Sequence, residues 1–112
     1  MKQRKHPRVP APLPCTILDE SGQESPFELI DLSEAGARIR CASELAAMTR
    51  IRVAILLPAA RIGGDEDVRL DTRGVVVWSH PVEGHFDTGV FFPELAGQTR
   101  DALQAYVSSA AV

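Results

Sequence analysis

The sequence predicts an all-β domain with one C-terminal α-helix, folded as a small six-stranded antiparallel β-barrel. Three observations carry this expectation. Six short β-prone runs recur along the chain, and several place apolar side chains at every second position. Turn-forming residues separate the runs at intervals of about a dozen residues, the spacing of a sandwich or barrel. After Pro93 the period changes: Leu95, Ala102, Leu103, Tyr106, Val107 and Ala110 fall on one stripe of a helix beginning at about Gln98. Strands joined this way remove their exposed edges by closing on themselves.

Residues 1–10 hold two prolines and no apolar periodicity, so they read as a flexible arm, with the barrel and its helix over 11–112. Leu13 to Asp19 is the first strand, and Glu20-Ser21-Gly22-Gln23 supplies a turn. Phe27 to Leu32 returns as the second, with Ile30 and Leu32 facing one side and Asp31 and Ser33 the other. In the third, Ala37, Ile39 and Cys41 face inward and Arg38 and Arg40 outward. Ser43 to Thr49 is a short connection with room for one helical turn. Arg50 to Leu57 alternates again, with Ile51, Val53, Ile55 and Leu57 on the core side, and Pro58 ends it. Ala59 to Asp67, with Gly63-Gly64, reads as a flexible acidic loop. Val68 to Trp78 is interrupted by Gly74, which suggests a bulge or bend at a barrel corner. Pro81 to Gly84 turns the chain into the last strand, His85 to Phe92.

At 112 residues the chain suits one domain with a single core. Hydrophobic residues at 45% and charged residues at 24% are ordinary for a globular protein and argue against disorder. The net charge of −3 conceals a division: residues 1–8 carry four cations (Lys2, Arg4, Lys5, Arg8) and no acid, so the remainder sums to −7. An acidic body is a poor match for DNA or RNA, and so few aromatics leave no stacking platform for single strands. A local cationic arm suits a small anion better, although a solvated charge run has the same composition. The longest apolar run, Val53 to Ala60, is too short to insert in a membrane and contains Pro58. No export signal stands out, and a cytoplasmic location is expected. Cys15 and Cys41 lie among β-prone residues and read as buried free thiols.

Nothing in the chain reads as catalytic. His6, His80 and His85 lack metal-ligand spacing, no nucleophile elbow surrounds Ser33, and Gly63-Gly64 has no Lys-Ser/Thr after it. No enzyme, metal or organic cofactor is expected.

Binding chemistry gathers at two places. Arg4-Lys5-His6-Pro7-Arg8 spaces two arginines as R-x-x-x-R, and Asp31-Leu32-Ser33-Glu34-Ala35-Gly36 reads D-x-S-x-x-G between two strands. Alone, the second is a common turn pattern in which Asp and Ser bond to nearby backbone. In this order, with a strand between them, the two together resemble the paired signature of the PilZ domain. The resemblance extends through Arg8-Val9-Pro10, Gly36-Ala37-Arg38-Ile39, Gly74-Val75-Val76-Val77-Trp78, Thr88-Gly89-Val90-Phe91-Phe92 and the closing helix. It implies a six-stranded barrel and a site for the bacterial second messenger cyclic di-GMP, gripped between arm and barrel surface. By position, Arg4 and Arg8 would be the arm's ligands, and Asp31, Ser33 and Gly36 the barrel's. Lys5, where many members carry arginine, Arg38 and Trp78 are secondary candidates.

That ligand fits these residue types. Guanine offers two acceptors, N7 and O6, on one edge and N–H donors on the other. An arginine fork meets the acceptors or a phosphate, and a carboxylate such as Asp31 meets the donors. A receptor without catalytic machinery acts through a downstream protein, which the sequence does not name; a homodimer also stays open. The competing reading is a PilZ-like interaction module that binds no nucleotide.

Overall fold

The computed structural model describes residues 9–11, 13, 15–18, 22, 24–95 and 97–110. Eight strands form one antiparallel sheet: β1 (Val9–Pro10), β2 (Cys15–Leu18), β3 (Glu24–Pro26), β4 (Glu28–Leu32), β5 (Gly36–Cys41), β6 (Arg50–Leu57), β7 (Val68–Val82) and β8 (His85–Phe91). Their order across the sheet is β1-β4-β5-β8-β7-β6-β2-β3. This corrects the closed six-stranded barrel expected from the sequence: the sheet is an open, curled half-barrel with β1 and β3 at its edges. Among the described residues both edge strands are short, and they end in proline, Pro10 and Pro26. Proline cannot donate to a further ladder, so the two edges have little with which to close.

The interior is filled by side chains from alternate positions. Ile17, Leu32, Ile39, Val53, Ile55, Leu57, Leu70 and Val76 are almost wholly buried. Burying each contributes about 1.5–3 kcal/mol relative to exposure. Helix α2 (Gly97–Ala110) packs against β1, β6 and β7, with Leu103 and Tyr106 fully enclosed and Ala102 and Val107 beside them. The expected helical stripe is therefore the lid over the core.

Several local expectations change. In β4 the register slips between Leu29 and Asp31, so Ile30 is an extra residue. Leu29 and Leu32 consequently point inward and Ile30 is only half-buried, where simple alternation paired Ile30 with Leu32. In β7 the irregularity lies between Val76 and Trp78, not at Gly74. Gly74 is small for another reason: a Cβ there would come within 2.6 Å of the Val90 side chain and crowd Val53 and Ile51. The loop after Pro58 begins as a short helix, α1 (Ala59–Ile62), stopped by Gly63 in the left-handed region at φ 70°. Strands β7 and β8 run on to a two-residue hairpin, Glu83-Gly84, with Val82 opposite His85 and Gly84 at φ 76°. Residues 42–49 hold no helical turn; Thr49 Oγ1 donates to the Ala46 carbonyl at 2.6 Å.

Candidate ligand-binding site

The link between β4 and β5 is a tight turn held by Ser33. The Ser33 hydroxyl accepts from the N–H groups of Ala35 and Gly36, each at 3.2 Å, and the Ser33 N–H donates to the Gly36 carbonyl at 2.8 Å. The Phe92 N–H ties the turn to the end of β8 by donating to the Ala35 carbonyl at 2.8 Å. Ser33 is buried at 6% exposure, and its hydroxyl is committed to the turn. Gly36 is required by close approach, since a Cβ would overlap the Val90 carbonyl oxygen of the neighbouring strand. Two of the three motif residues thus shape the turn.

The third faces outward. Asp31 stands opposite Arg38, and its Oδ2 lies 3.1 Å from the Arg38 Nη2; the Asp31 side chain is only 13% exposed. Along the same strand Arg40 lies 3.6 Å from both Glu28 and Asp87, and His85 is 3.4 Å from Asp87. Among the described residues, Arg38 Nε, Arg40 Nε, His85 Nε2 and Asp87 Oδ1 are buried atoms without a hydrogen-bond partner. The Arg40 contact with Asp87 is therefore Coulombic.

Trp78 continues this face. Arg38, Gly89 and Trp78 lie in one row across β5, β8 and β7. The indole sits where a side chain on Gly89 would be, and its ring centroid is 5.0 Å from that of His80 at 54°. The bulge at Val77 puts Trp78 on the outer face, half-buried, and turns Ser79 inward to Thr88 at 3.4 Å. Gly89 escaped the sequence reading as a site residue. Its signal was a glycine inside a strand-like run, which marks close approach by another group.

Strand β1 borders the same surface, Val9 pairing with Leu32 and Pro10 with Asp31. The Ala11 N–H donates to the Ile30 carbonyl at 3.0 Å, and the Tyr106 hydroxyl donates to the Pro10 carbonyl at 3.3 Å. The Arg61 guanidinium covers the Tyr106 ring at 4.9 Å from its centroid. Arg4, Lys5 and Arg8 lie outside the described residues.

The two thiols sit apart from this face, buried and free. Burial, with a smaller contribution from Cys41, pushes the Cys15 thiol from its ordinary 9.0 up to about 11. Burial also raises Cys41, partly offset by its bond to Thr88 Oγ1 at 3.6 Å. Among the described residues there is no metal-holding group of three or more His, Cys, Asp or Glu, and no helix long and apolar enough to cross a membrane.

The PilZ domain model matches residues 2–109, almost the whole chain. The chain belongs to the PilZ domain family. Receptors of that family are non-catalytic. A sequence relative is cellulose synthase 2 of Novacetimonas hansenii, 36% identical over 87 residues, which are 78% of this chain but 5% of that one. Among solved structures, the inhibitor of motility MotI/DgrA of Bacillus subtilis superposes with a TM-score of 0.81 at 20% identity, over 96% of this chain and 51% of that one. The PilZ domain of YcgR from Escherichia coli, solved with cyclic di-GMP, superposes with a TM-score of 0.70 at 16% identity, over 98% and 92%. The chain spans one-twentieth of the cellulose synthase and about half of the motility inhibitor.

Proposed function

We propose that this PilZ domain binds cyclic di-GMP on the outer face of β4, β5, β8 and β7, and that its cationic arm closes over the ligand and relays the signal to a partner protein. The observation carrying this reading is the pairing of β1 with β4: Val9 lies opposite Leu32 and Pro10 opposite Asp31. Arg8 directly precedes Val9 in the sequence. The strand that directly follows the R-x-x-x-R motif in sequence therefore borders the D-x-S-x-x-G turn, although the two motifs are a strand apart. The likeness to a PilZ domain solved with cyclic di-GMP supports the same assignment.

In this reading the roles divide. Asp31 accepts from guanine N–H groups, while Arg4 and Arg8 meet guanine acceptors or phosphates. Ser33 and Gly36 act mainly by holding the turn that presents Asp31, and Ser33 can offer its hydroxyl to the ligand only by loosening that turn. Arg38 steers Asp31 and has a guanidinium edge without a hydrogen-bond partner among the described residues. Trp78 offers a half-exposed ring for stacking. Lys5 adds charge without a planar fork.

Calorimetric titration with cyclic di-GMP tests this. Saturable binding is expected, with cyclic di-AMP competing poorly because adenine has a donor where guanine has O6. Losing one charge-assisted hydrogen bond costs about 1.5–3 kcal/mol, so Arg8→Ala is expected to weaken binding about ten- to a hundredfold. Arg8→Lys stays impaired, and melting temperature without ligand barely moves. No heat of binding, equal competition by cyclic di-AMP, or wild-type affinity in Arg8→Ala overturns the reading and favours the nucleotide-free interaction module.

A further inference from the structure

We infer that the outer face of β6 and β7, continued onto Phe91 of β8, is the docking surface for a partner protein, and that it takes an extended segment in which acidic residues alternate with apolar ones. The proposal deepens the preceding reading by giving the partner a chemistry and a place, and it rests on that reading only for the need of a partner at all.

Charge is the first ground. The chain beyond residue 8 carries eight arginines against fifteen acids, yet four of the eight, Arg50, Arg52, Arg69 and Arg73, point outward from these two strands. Arg52 and Arg73 stand directly opposite each other. A like-charge pair facing across neighbouring strands destabilises the isolated sheet. Among the described residues only two acids answer the four cations: Asp71 lies 3.7 Å from Arg52, and Glu94 lies 3.8 Å from Arg73. All four of those side chains are about half exposed or more. Arg50 and Arg69 have no ion pair among the described residues.

The second ground is apolar surface at the same place. Phe91 is 46% exposed and sits opposite the half-buried Val75, which in turn sits opposite Arg50. Val77 and Met48 are exposed at 48% and 74%, and the bond from the Met48 N–H to the Val76 carbonyl brings them abreast. An open groove of about 600 Å³ runs between Arg50, Arg52, Arg73 and Pro93. Cations beside exposed aliphatic and aromatic groups complement carboxylates beside apolar anchors. The acids interleaved among the arginines, and the concave shape, fit a peptide segment better than a flat anionic membrane or a nucleic acid.

The face also touches the candidate ligand site. Phe91 lies opposite Gly36, the last residue of the motif turn. A partner seated against Phe91 would contact the strand that carries Asp31's turn through a single pair of residues.

Selection of random phage-displayed peptides on the immobilised full chain, without nucleotide, tests the proposal. The enriched peptides are expected to carry Asp or Glu next to Leu, Phe or Trp. Synthetic copies are expected to lose about tenfold or more in affinity on Arg73→Glu and on Phe91→Ser. Both are exposed positions, and circular dichroism confirms that each variant is folded. Enrichment of neutral or basic peptides, no enrichment, or unchanged binding to both variants overturns it. Self-association lost in Phe91→Ser would assign the face to a second copy, and sedimentation with phosphatidylglycerol vesicles lost in Arg73→Glu would assign it to a membrane; either result also overturns it. Because no nucleotide is present, a failed selection and a failed cyclic di-GMP titration are separate results.

Discussion

The outer face of this sheet carries ion pairs at both ends, and they differ in kind. On β4 and β5, Asp31 and Arg38 meet at 3.1 Å with the carboxylate nearly out of water. On β6 and β7, Arg52 and Asp71 stay 3.7 Å apart with both side chains about half exposed. The first pair sits beside a turn fixed by Ser33 and Gly36 and under the edge strand β1. The second lies in the open on two long strands, with both side chains about half exposed. Local support, not residue type, separates a held geometry from a loose one, and a held geometry is what recognition of a small rigid ligand requires. The loose end keeps long side chains adaptable, which suits a protein surface.

The strongest way to break this contrast is through the turn. At Gly36 an added Cβ meets strand backbone, the Val90 carbonyl, which cannot swing away. Gly36→Ala is expected to cost about 3 kcal/mol, the upper end of overpacking penalties, and to abolish ligand binding in whatever fraction folds. At Gly89 the obstacle is the Trp78 ring, a side chain that can rotate out. Gly89→Ala is expected to cost less, about 1–2 kcal/mol, and to shift tryptophan fluorescence to the red as the ring enters water. Urea unfolding and emission spectra check both. Equal losses at the two glycines would mean that the turn is no stiffer than the surface around Trp78.

The inner side of the sheet gives a pH-dependent version of the same comparison. Cys15 lies opposite Ile55 of β6, on the loosely paired half, and Cys41 lies on β5 behind the candidate site. Folding holds the Cys15 proton more tightly, its thiol rising from 9.0 to about 11. The unfolded state therefore loses its proton first as pH rises. The stability linked to this thiol is intact below pH 9.0 and declines toward about 11. Relative to Cys15→Ala, wild-type stability should fall more steeply over that window. Cys41→Ala should show a weaker effect of the same sign, since its bond to Thr88 pulls against burial. Denaturation midpoints across the alkaline range check this, and a wild-type curve parallel to that of Cys15→Ala counts against it.

Much of this was legible in the sequence, and the misses share a cause. Strict alternation in Ala37–Cys41 and Arg50–Leu57 assigned inward and outward faces correctly, as did the helical stripe through Leu103 and Tyr106. Alternation failed at Ile30, where the ladder slips by one residue, because a bulge is set by the partner strand's register and leaves no mark in the run itself; for the same reason the irregularity expected at Gly74 lies at Val77 instead. Closure failed because β1 and β3 are too short to register as strands, and they occupy the edges. Sequence did identify the D-x-S-x-x-G stretch. The division of labour within it was not legible, since only the structure brings Val90 against Gly36 and turns the Ser33 hydroxyl onto its own backbone.

The smallest expected effect sharpens the comparison most. A double-mutant cycle isolates one pair's coupling even when each residue has other neighbours. For Asp31 and Arg38, with a short contact and a carboxylate largely withdrawn from water, Asp31→Ala, Arg38→Ala and the double variant are expected to give about 1 kcal/mol of coupling, the top of the range for surface pairs. For Arg52 and Asp71 the expectation is below about 0.5 kcal/mol, because two exposed side chains give up rotamer freedom for a screened contact. Raising salt to about 1 M, where the screening length falls to about 3 Å, should erase the second coupling and leave a measurable part of the first. Urea denaturation supplies all the free energies. If the two couplings match, or salt removes both alike, then the Asp31–Arg38 geometry is no better held than an ordinary surface pair, and its value to a ligand must come from the arm alone.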